Sequence, residues 1–427
     1  MNTIKKITAH TIEVTTLPNG LRVASDRMDS VETVSVGIWA GVGTRHETAA
    51  ENGVAHLLEH MAFKGTRRRS ARAIAEEIES VGGLLNAYTG REQTAYYAKM
   101  LAPDLPLAVD VLGDILQDSI YDPEELERER AVVLQEIGQA EDTPDDIIFD
   151  HFQEVAFPDQ PMGWPVLGRA EIIETAKRET VAGYLASRYR PDRMIVAAAG
   201  NIEHDRLVEL ATATLDRLPA GTSPEAHGAD YRGGEHREDR ELEQVNVVLG
   251  FPGVSYHDPD YYVAAVLSQL LGGGMSSRLF QEVREKRGLV YSIHSFSSSY
   301  SDCGLFGVYA GTGESEAAEM MPVICDEILK VGDSLAEAEV ARAAAQLKAG
   351  TLMSRESTSS RCEQLASQLL LYGRPIPPEE AVTRIEAVTP ADVMRLARRI
   401  FGSSPTLASL GPVAKVPSLD AVRRRLA

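Results

Sequence analysis

The chain has 427 residues, of which 44% are hydrophobic and 25% are charged, and its formal net charge is −20. This composition is ordinary for globular proteins, and the length predicts two or more domains. The negative charge argues against a nucleic-acid partner, and no apolar run approaches the ~18 residues that a membrane-spanning helix needs.

The first predicted helix carries an H-x-x-E-H motif at residues 56–60. Residues 54–64 contain no helix breaker, Asn52 is the predicted N-cap, and Gly65 suits the position after the C-terminus. In a helix, His56 and His60 lie about 40° apart on one face, where both imidazoles can reach one metal ion. This order of residues is a zinc-peptidase signature. The alternative is a pair of structural histidines on an otherwise apolar helix.

A catalytic zinc site needs a third protein ligand and keeps one position open for water. Further along the chain, residues 70–81 predict a short helix with a serine cap. Residues 84–101 alternate like a two-stranded hairpin, and residues 103–120 predict an apolar helix. The sequence Asp-Pro-Glu-Glu at residues 122–125 then predicts another helix start, with a cap, a proline in the first turn and an acid after it.

The helix that begins near residue 122 carries two candidate ligands, Glu129 and Glu136, seven residues apart. Two helical turns leave them about 20° apart in angle, so helix geometry alone does not choose between them. Both could instead belong to an acidic solvated face. The apolar neighbours of Glu136 favour it as the ligand, because a carboxylate in such surroundings is costly unless it is paired or metal-bound.

Three stretches in the same order resemble the pitrilysin/insulinase family of inverted-motif zinc peptidases. They are residues 53–66, 86–94 and 129–137. Within the family, the chain is most similar to the branch of the mitochondrial processing peptidase β subunit and its bacterial single-chain relatives. The resemblance covers essentially the whole chain. It implies that one Zn²⁺ per chain is held by His56, His60 and Glu136. It also implies that Glu59 is the general base for a zinc-activated water and that Glu129 supports the ligands.

The second half of the chain contains a further pattern of this family, an arginine and a tyrosine seven residues apart. Here these residues are Arg284 and Tyr291. The resemblance implies that Arg284 grips the substrate backbone and that Tyr291 donates to the oxygen of the tetrahedral state. Without the resemblance, Arg284 is one charge on an exposed helix and Tyr291 is an ordinary strand residue.

The predicted helix that begins at Thr143 carries two acids on one face, Asp146 and Asp150. The resemblance implies that they recognise an arginine just upstream of the cut, since a guanidinium pairs well with two carboxylates. The alternative is that they only complement the helix dipole. The expected substrate is therefore an extended basic peptide or unfolded polypeptide, similar to a presequence.

The resemblance implies two more substrate contacts. A substrate strand is expected to add to the sheet edge near Asn86 and Ala87, where backbone hydrogen bonds give affinity without reading the sequence. Phe63, about one turn beyond His60, is a candidate wall for an apolar side chain after the cut. Its alternative role is core packing.

The similar pattern of the two halves of the sequence indicates an internal duplication. Residues 1–218 are the predicted N-terminal zinc-binding catalytic domain, residues 219–243 a linker rich in glycine, proline and charge, and residues 244–427 a homologous C-terminal domain without metal ligands. Periodicity alone indicates only mixed strands and helices in two halves. The resemblance implies an α+β fold of two homologous domains, each a mainly antiparallel sheet with helices on one face, that form a clamshell.

The expected location is the bacterial cytoplasm. Residues 1–14 resemble neither a signal peptide nor a transit peptide, and the scattered Cys303, Cys325 and Cys362 indicate a reducing compartment. Short members of the family need two chains to form a chamber, which implies a homodimer. Two alternatives remain, a non-catalytic subunit like the core proteins of respiratory complexes, and a catalytic subunit that needs a different partner chain.

Overall fold

The computed structural model describes residues 5–9, 11–218, 221–222 and 225–427. The chain divides into two compact units, each built from three segments. The first unit contains Met1–Ile137, Pro165–His227 and Met353–Ile376, and the second contains Gly138–Trp164, Gly228–Leu352 and Pro377–Ala427. Among the described residues, no helix is both long enough and apolar enough to cross a membrane.

The described part of the chain contains strands in two sheets, together with helices. The strands are β1 (Lys5–Ala9), β2 (Ile12–Thr16), β3 (Arg22–Arg27), β4 (Thr33–Ala40), β5 (Leu84–Thr89), β6 (Thr94–Leu101), β7 (Met194–Gly200), β8 (Gly234–Asp239), β9 (Val245–Pro252), β10 (Ser292–Ser299), β11 (Gly304–Thr312) and β12 (Thr406–Gly411). The α-helices are α1 (Val54–Ala62), α2 (Ala71–Ser80), α3 (Leu105–Gln117), α4 (Pro123–Glu141), α5 (Pro144–Ala156), α6 (Ala170–Ile173), α7 (Arg178–Arg188), α8 (His204–Thr214), α9 (Tyr261–Gly272), α10 (Ala317–Asp333), α11 (Glu337–Ser354), α12 (Thr358–Tyr372), α13 (Pro378–Glu386), α14 (Pro390–Phe401) and α15 (Leu419–Leu426). A π-helix spans Phe280–Glu285.

The first unit is built on a seven-stranded sheet in the order β1-β2-β3-β7-β4-β6-β5. Neighbouring strands are antiparallel except β3 and β7, which run parallel. The central strand β4 is buried after its first residue, and its apolar side chains lie in two clusters, one on each face of the sheet. Val36 and Ile38 lie in the larger cluster, which includes residues of α1, α3 and α8. Trp39 lies in a smaller cluster with Leu365 and Leu369 of α12 on the other face.

The second unit is built on a five-stranded sheet in the order β10-β11-β9-β12-β8. Among the described strands of this sheet, only the pair β12 and β8 is parallel. Val247 and Leu249 of β9 pack in a cluster with residues of α9, α10 and α14. Val248, between them, lies in a cluster on the other face with Ile148 and Phe152 of α5. Strand alternation therefore buries both faces of each central strand.

The predicted α+β fold with two mainly antiparallel sheets is confirmed. The structure adds one helix to the second face of each sheet, α12 in the first unit and α5 in the second. Each of these helices comes from the other half of the sequence, so the compact units interleave along the chain. The stretch 219–243, predicted as a linker, contains β8. This strand has no apolar residue because it lies at the sheet edge, so periodicity did not reveal it.

Candidate metal centre

The N-terminal end of α1 is fixed by the buried side chain of Glu47. The Glu47 carboxylate accepts hydrogen bonds from the backbone N–H groups of Gly53, at 2.9 Å, and Ala55, at 2.7 Å. Gly53 is the N-cap, whereas Asn52 donates its side-chain amide to Glu47 at 3.1 Å. The prediction of Asn52 as the cap is wrong, because Glu47 accepts the hydrogen bonds that a capping side chain would take.

Helices α1 and α4 bring together three possible metal-binding side chains. Nε2 of His56 lies 3.7 Å, and Nε2 of His60 lies 3.5 Å, from the same Oε2 atom of Glu136. Tetrahedral zinc with ligands at ~2.0–2.2 Å would place neighbouring donor atoms roughly 3.3–3.6 Å apart, so the spacing fits this ion. Burial and the nearby His60 lower the pKa of His56 to about 4. Its ring is therefore neutral at pH 7, as metal binding requires.

Glu129 lies behind His60 rather than beside the other donor atoms. Its Oε2 is 2.9 Å from Nδ1 of His60, and Lys64 donates to its Oε1 at 2.6 Å. A carboxylate that accepts Nδ1–H fixes the tautomer and the orientation of a histidine, and it leaves Nε2 free to bind a metal. The contacts of Glu129 and Glu136 therefore differ in the structure, whereas helix geometry alone could not distinguish the two residues. The contact with Lys64 was not predicted, since no motif in the sequence signals it.

Glu59 is held by a residue of the neighbouring sheet. Oγ1 of Thr89, at the end of β5, donates to Oε2 of Glu59 at 2.5 Å. Burial raises the pKa of Glu59, although the Thr89 hydrogen bond and the nearby His60 oppose the shift. A carboxylate with a raised pKa accepts a proton more readily near neutral pH. The sequence placed Thr89 in the predicted hairpin and in the stretch 86–94, but it assigned no role to this residue.

The sheet edge near α1 carries Asn86 and Ala87. Both lie on β5, which pairs with β6 on one side and is the last strand in the sheet order. Oδ1 of Asn86 accepts from the backbone N–H of Ala87 at 2.9 Å. Leu84 at the start of β5 is 69% exposed. Within the described part of the chain, the outer edge of β5 pairs with no strand, which is the geometry that strand addition needs.

Phe63 follows the last residue of α1 as its C-cap. The side chain is half-buried against the core of the first unit, and its ring centroid lies 6.3 Å from that of Tyr96. Phe63 therefore contributes to core packing, while part of its surface stays accessible.

The remaining predicted residues lie in the second unit. The guanidinium carbon of Arg284, in the π-helix, is 6.0 Å from the ring centroid of Tyr291 and 4.8 Å from that of Phe280. Tyr291 is 75% exposed. Asp146 and Asp150 lie in the N-terminal half of α5, where the first is exposed and the second is half-buried. The structure thus brings Arg284 and Tyr291 together.

Comparisons with known proteins place the chain in a family. The model described as "Insulinase (Peptidase family M16)" matches residues 22–170, and the model described as "Peptidase M16 inactive domain" matches residues 175–347. An uncharacterized zinc protease of Streptomyces coelicolor is 40% identical over 94% of this chain and 90% of its own length. A probable mitochondrial-processing peptidase subunit beta of Arabidopsis thaliana is 39% identical over 98% of this chain and 82% of its own length.

Solved structures show the same fold. A protease from Helicobacter pylori has a TM-score of 0.88 at 22% identity, over 96% of this chain and 99% of that one. A chain of complex III2 from Candida albicans has a TM-score of 0.87 at 24% identity, over 97% and 99% of the two chains.

The chain belongs to peptidase family M16. The predicted enzyme class, a zinc protease related to the processing peptidase β subunit, is confirmed by these relatives. The residues that match the insulinase model include His56, His60 and Glu136, whereas the residues that match the inactive-domain model include Arg284 and Tyr291.

Proposed function

We propose that this chain is a zinc-dependent endopeptidase that cleaves extended basic peptides, with His56, His60 and Glu136 as the zinc ligands. The observation that carries the proposal is the convergence of both Nε2 atoms on one oxygen of Glu136, at 3.7 and 3.5 Å. Zinc bound by such residues lowers the pKa of its water towards ~7 and polarises the scissile carbonyl.

Glu59 is the proposed general base. Thr89 holds its Oε2 by a 2.5 Å hydrogen bond, so Oε1 is the oxygen that takes the proton of the attacking water. The same carboxyl then passes the proton to the leaving amine. Burial raises the pKa of Glu59, so its carboxylate takes up a proton more readily than an ordinary glutamate does. Glu129 is the proposed positioning residue, which orients His60 through Nδ1.

Arg284 and Tyr291 are the proposed contacts to the substrate backbone and to the developing oxyanion. Two features support this role, their proximity to each other and the 75% exposure of Tyr291. An arginine that lies against aromatic rings keeps its charge and presents a planar set of donors. A phenol hydroxyl can donate one hydrogen bond to a charged oxygen.

The substrate is proposed to bind as an extra strand along the outer edge of β5, beside Asn86 and Ala87. Phe63 is the proposed wall for the apolar side chain after the cut. Asp146 and Asp150 are the proposed contacts for an arginine upstream of the cut, since both lie in the N-terminal half of α5 and Asp146 is exposed. A net charge of −20 supports a basic substrate.

We further propose one Zn²⁺ per chain, a homodimer and a location in the bacterial cytoplasm. The three cysteines are free, which supports a reducing compartment. The relatives named as a subunit beta support the alternative of a different partner chain. Light scattering of the purified chain, combined with an activity assay on the same fractions, distinguishes a self-sufficient dimer from an incomplete enzyme.

The first experiment is hydrolysis of a quenched, presequence-like peptide by wild type and Glu59→Gln, with zinc measured in both proteins. We expect cleavage by wild type and its loss in Glu59→Gln with zinc still bound. Wild-type protein that holds zinc but cleaves nothing alone indicates a missing partner chain. A chain that neither binds zinc nor cleaves favours the non-catalytic subunit and overturns the proposal.

The substrate preference is tested with a peptide series in which one arginine is moved or replaced by alanine. Wild type should cleave the arginine peptide faster, and Asp146→Ala/Asp150→Ala should cleave all peptides at similar rates. Asp145→Ala is the matched control, since it removes an exposed first-turn acid of the same helix. A similar loss of preference in Asp145→Ala would show that only the charge of the helix end matters.

A further inference from the structure

The second unit holds another group of two histidines and a glutamate. His151 lies on α5, and His236 and Glu238 lie on β8. Because strand side chains alternate, His236 and Glu238 share one face of this strand, and α5 contacts the strand. The group therefore joins two segments that are distant in the sequence, and sequence spacing gave no signal of it.

The geometry of this group is close to that of the candidate metal centre. Nε2 of His151 lies 3.5 Å, and Nε2 of His236 lies 3.6 Å, from the same Oε2 atom of Glu238. All three residues offer donor atoms within 4.8 Å of one another, as do His56, His60 and Glu136. These spacings fit three donors at ~2.0–2.2 Å around one zinc-sized ion.

Neither of these two Nε2 atoms makes a hydrogen bond among the described residues, although both face Glu238. Both atoms are buried. Buried polar atoms are normally hydrogen-bonded, so two buried Nε2 atoms that face one carboxylate without a hydrogen bond need an explanation. The rings stack with centroids 4.2 Å apart and an interplanar angle of 17°.

Arg240 orients the carboxylate of Glu238 by binding Oε1, the oxygen that does not face the histidines. Arg240 donates to Oε1 through Nε at 2.9 Å and through Nη2 at 2.6 Å, so Oε2 is left to face the histidines. Asp150 and Glu154 also lie close enough to His151 to act on it electrostatically. The surroundings thus contain three carboxylates and one guanidinium, a balance that favours a cation.

We propose that His151, His236 and Glu238 form a second metal site, which binds a divalent cation of the zinc type. Two imidazoles and one carboxylate suit such ions, and the three side chains are 22–32% exposed. The site is independent of the proposed catalytic zinc. Its ion ties α5 to the edge strand β8 and stabilises the second unit.

The experiment counts metal ions in the full chain after loading with Zn²⁺ and removal of excess ion. We expect about two ions per wild-type chain, about one in either His56→Ala/His60→Ala or His236→Ala, and none in the triple variant. Glu238→Gln keeps the size of the side chain and should also bind about one. His227→Ala is the matched control, an exposed histidine outside both groups that should leave the count at two.

A second readout uses His56→Ala/His60→Ala, in which only the proposed second site remains. Titration with Co²⁺ should give visible absorption bands that saturate at one ion per chain, and Zn²⁺ should raise Tm. Both effects should disappear when His151→Ala is added. If His56→Ala/His60→Ala binds no ion, or if His151→Ala leaves binding unchanged, the proposal is overturned whether or not the first centre is catalytic.

Discussion

Glu129 and Glu136 contact different atoms of the histidines, and the roles proposed for them differ for this reason. They lie seven residues apart on α4, and helix geometry alone allowed either to be a ligand. Glu129 is buried and contacts Nδ1 of His60. Glu136 is partly exposed and faces the Nε2 atoms of His56 and His60. The apolar residues around Glu136 favoured the same choice from the sequence, but the contact of Glu129 depends on how two helices pack.

Glu129→Gln should weaken zinc binding about 10- to 100-fold, the usual effect of losing a carboxylate behind a metal-bound histidine. The amide keeps the shape of the side chain but loses its charge, so His60 is held less firmly and Lys64 loses its ion pair. Competition with a zinc chelator measures the change. Glu127→Gln, an exposed acid on the same helix, should bind zinc as wild type does. Equal affinities in both variants would show that Glu129 does not support the site.

Glu47 gives the first unit a defined pH dependence. Burial raises the pKa of Glu47 to about 7 from an ordinary value of 4.5, despite its hydrogen bonds from Gly53 and Ala55. Between these two values the folded protein keeps a proton that the unfolded chain releases, so the stability from this group falls as pH rises. The loss approaches about 3 kcal/mol at pH 8, because each unit of pKa shift corresponds to about 1.4 kcal/mol.

Glu47→Gln cannot titrate and should lack this dependence. The free energy of unfolding of wild type minus that of Glu47→Gln should therefore decrease between pH 4.5 and pH 8. Urea unfolding of both proteins with a chelator present measures the difference without the effect of pH on zinc binding. A difference that stays constant over this range would mean that the carboxyl of Glu47 has an ordinary pKa.

At the scale of elements, local signals were sufficient wherever a helix or hairpin is defined by its own residues. The serine cap predicted α2, the proline start predicted α4, and alternation predicted β5 and β6. The start of α1 at Val54 was predicted, but its capping group was missed, because Glu47 lies outside the helix and reaches it through space. Strand β8 was missed because an edge strand with polar side chains has no hydrophobic period.

Gly53 is required for α1 to begin where it does. Its φ is +94°, and an added Cβ would lie 2.6 Å from Cα of Gly168. Gly53→Ala should combine backbone strain with a clash and destabilise the first unit by about 2–5 kcal/mol. It should also weaken zinc binding, because α1 carries His56 and His60.

Gly82→Ala is the matched control for Gly53→Ala. Gly82 also has a positive φ, +69°, but an added Cβ there meets no atom within 4 Å. It should therefore show only the backbone strain, about 1–2 kcal/mol, and unchanged zinc affinity. Urea unfolding and a zinc competition assay on both variants separate strain from clash. If the two variants behave alike, the contact with Gly168 does not position the helix.

At the scale of the whole molecule, the two compact units do not coincide with the two halves of the sequence. One face of the first sheet is covered by α12, which follows the second sheet's first four strands in the chain. One face of the second sheet is covered by α5, which lies before all of that sheet's strands. The sequence predicted two similar halves from local repetition. It could not predict that each sheet is covered by a helix from the other half of the sequence, because the partners of each helix lie far away in the sequence and no motif identifies them.

The packing of α12 on the first sheet predicts that a fragment of residues 1–227 does not fold alone. Without α12, the apolar cluster around Trp39 loses Leu365 and Leu369 and faces water. The fragment should be insoluble or bind a hydrophobic dye, and coexpression with residues 228–427 should restore a soluble, zinc-binding complex. Leu365→Ala and Leu369→Ala in the second fragment should each weaken this rescue, since each truncation costs about 2–5 kcal/mol. A fragment 1–227 that unfolds cooperatively and binds zinc by itself would mean that α12 only covers a unit that is already stable.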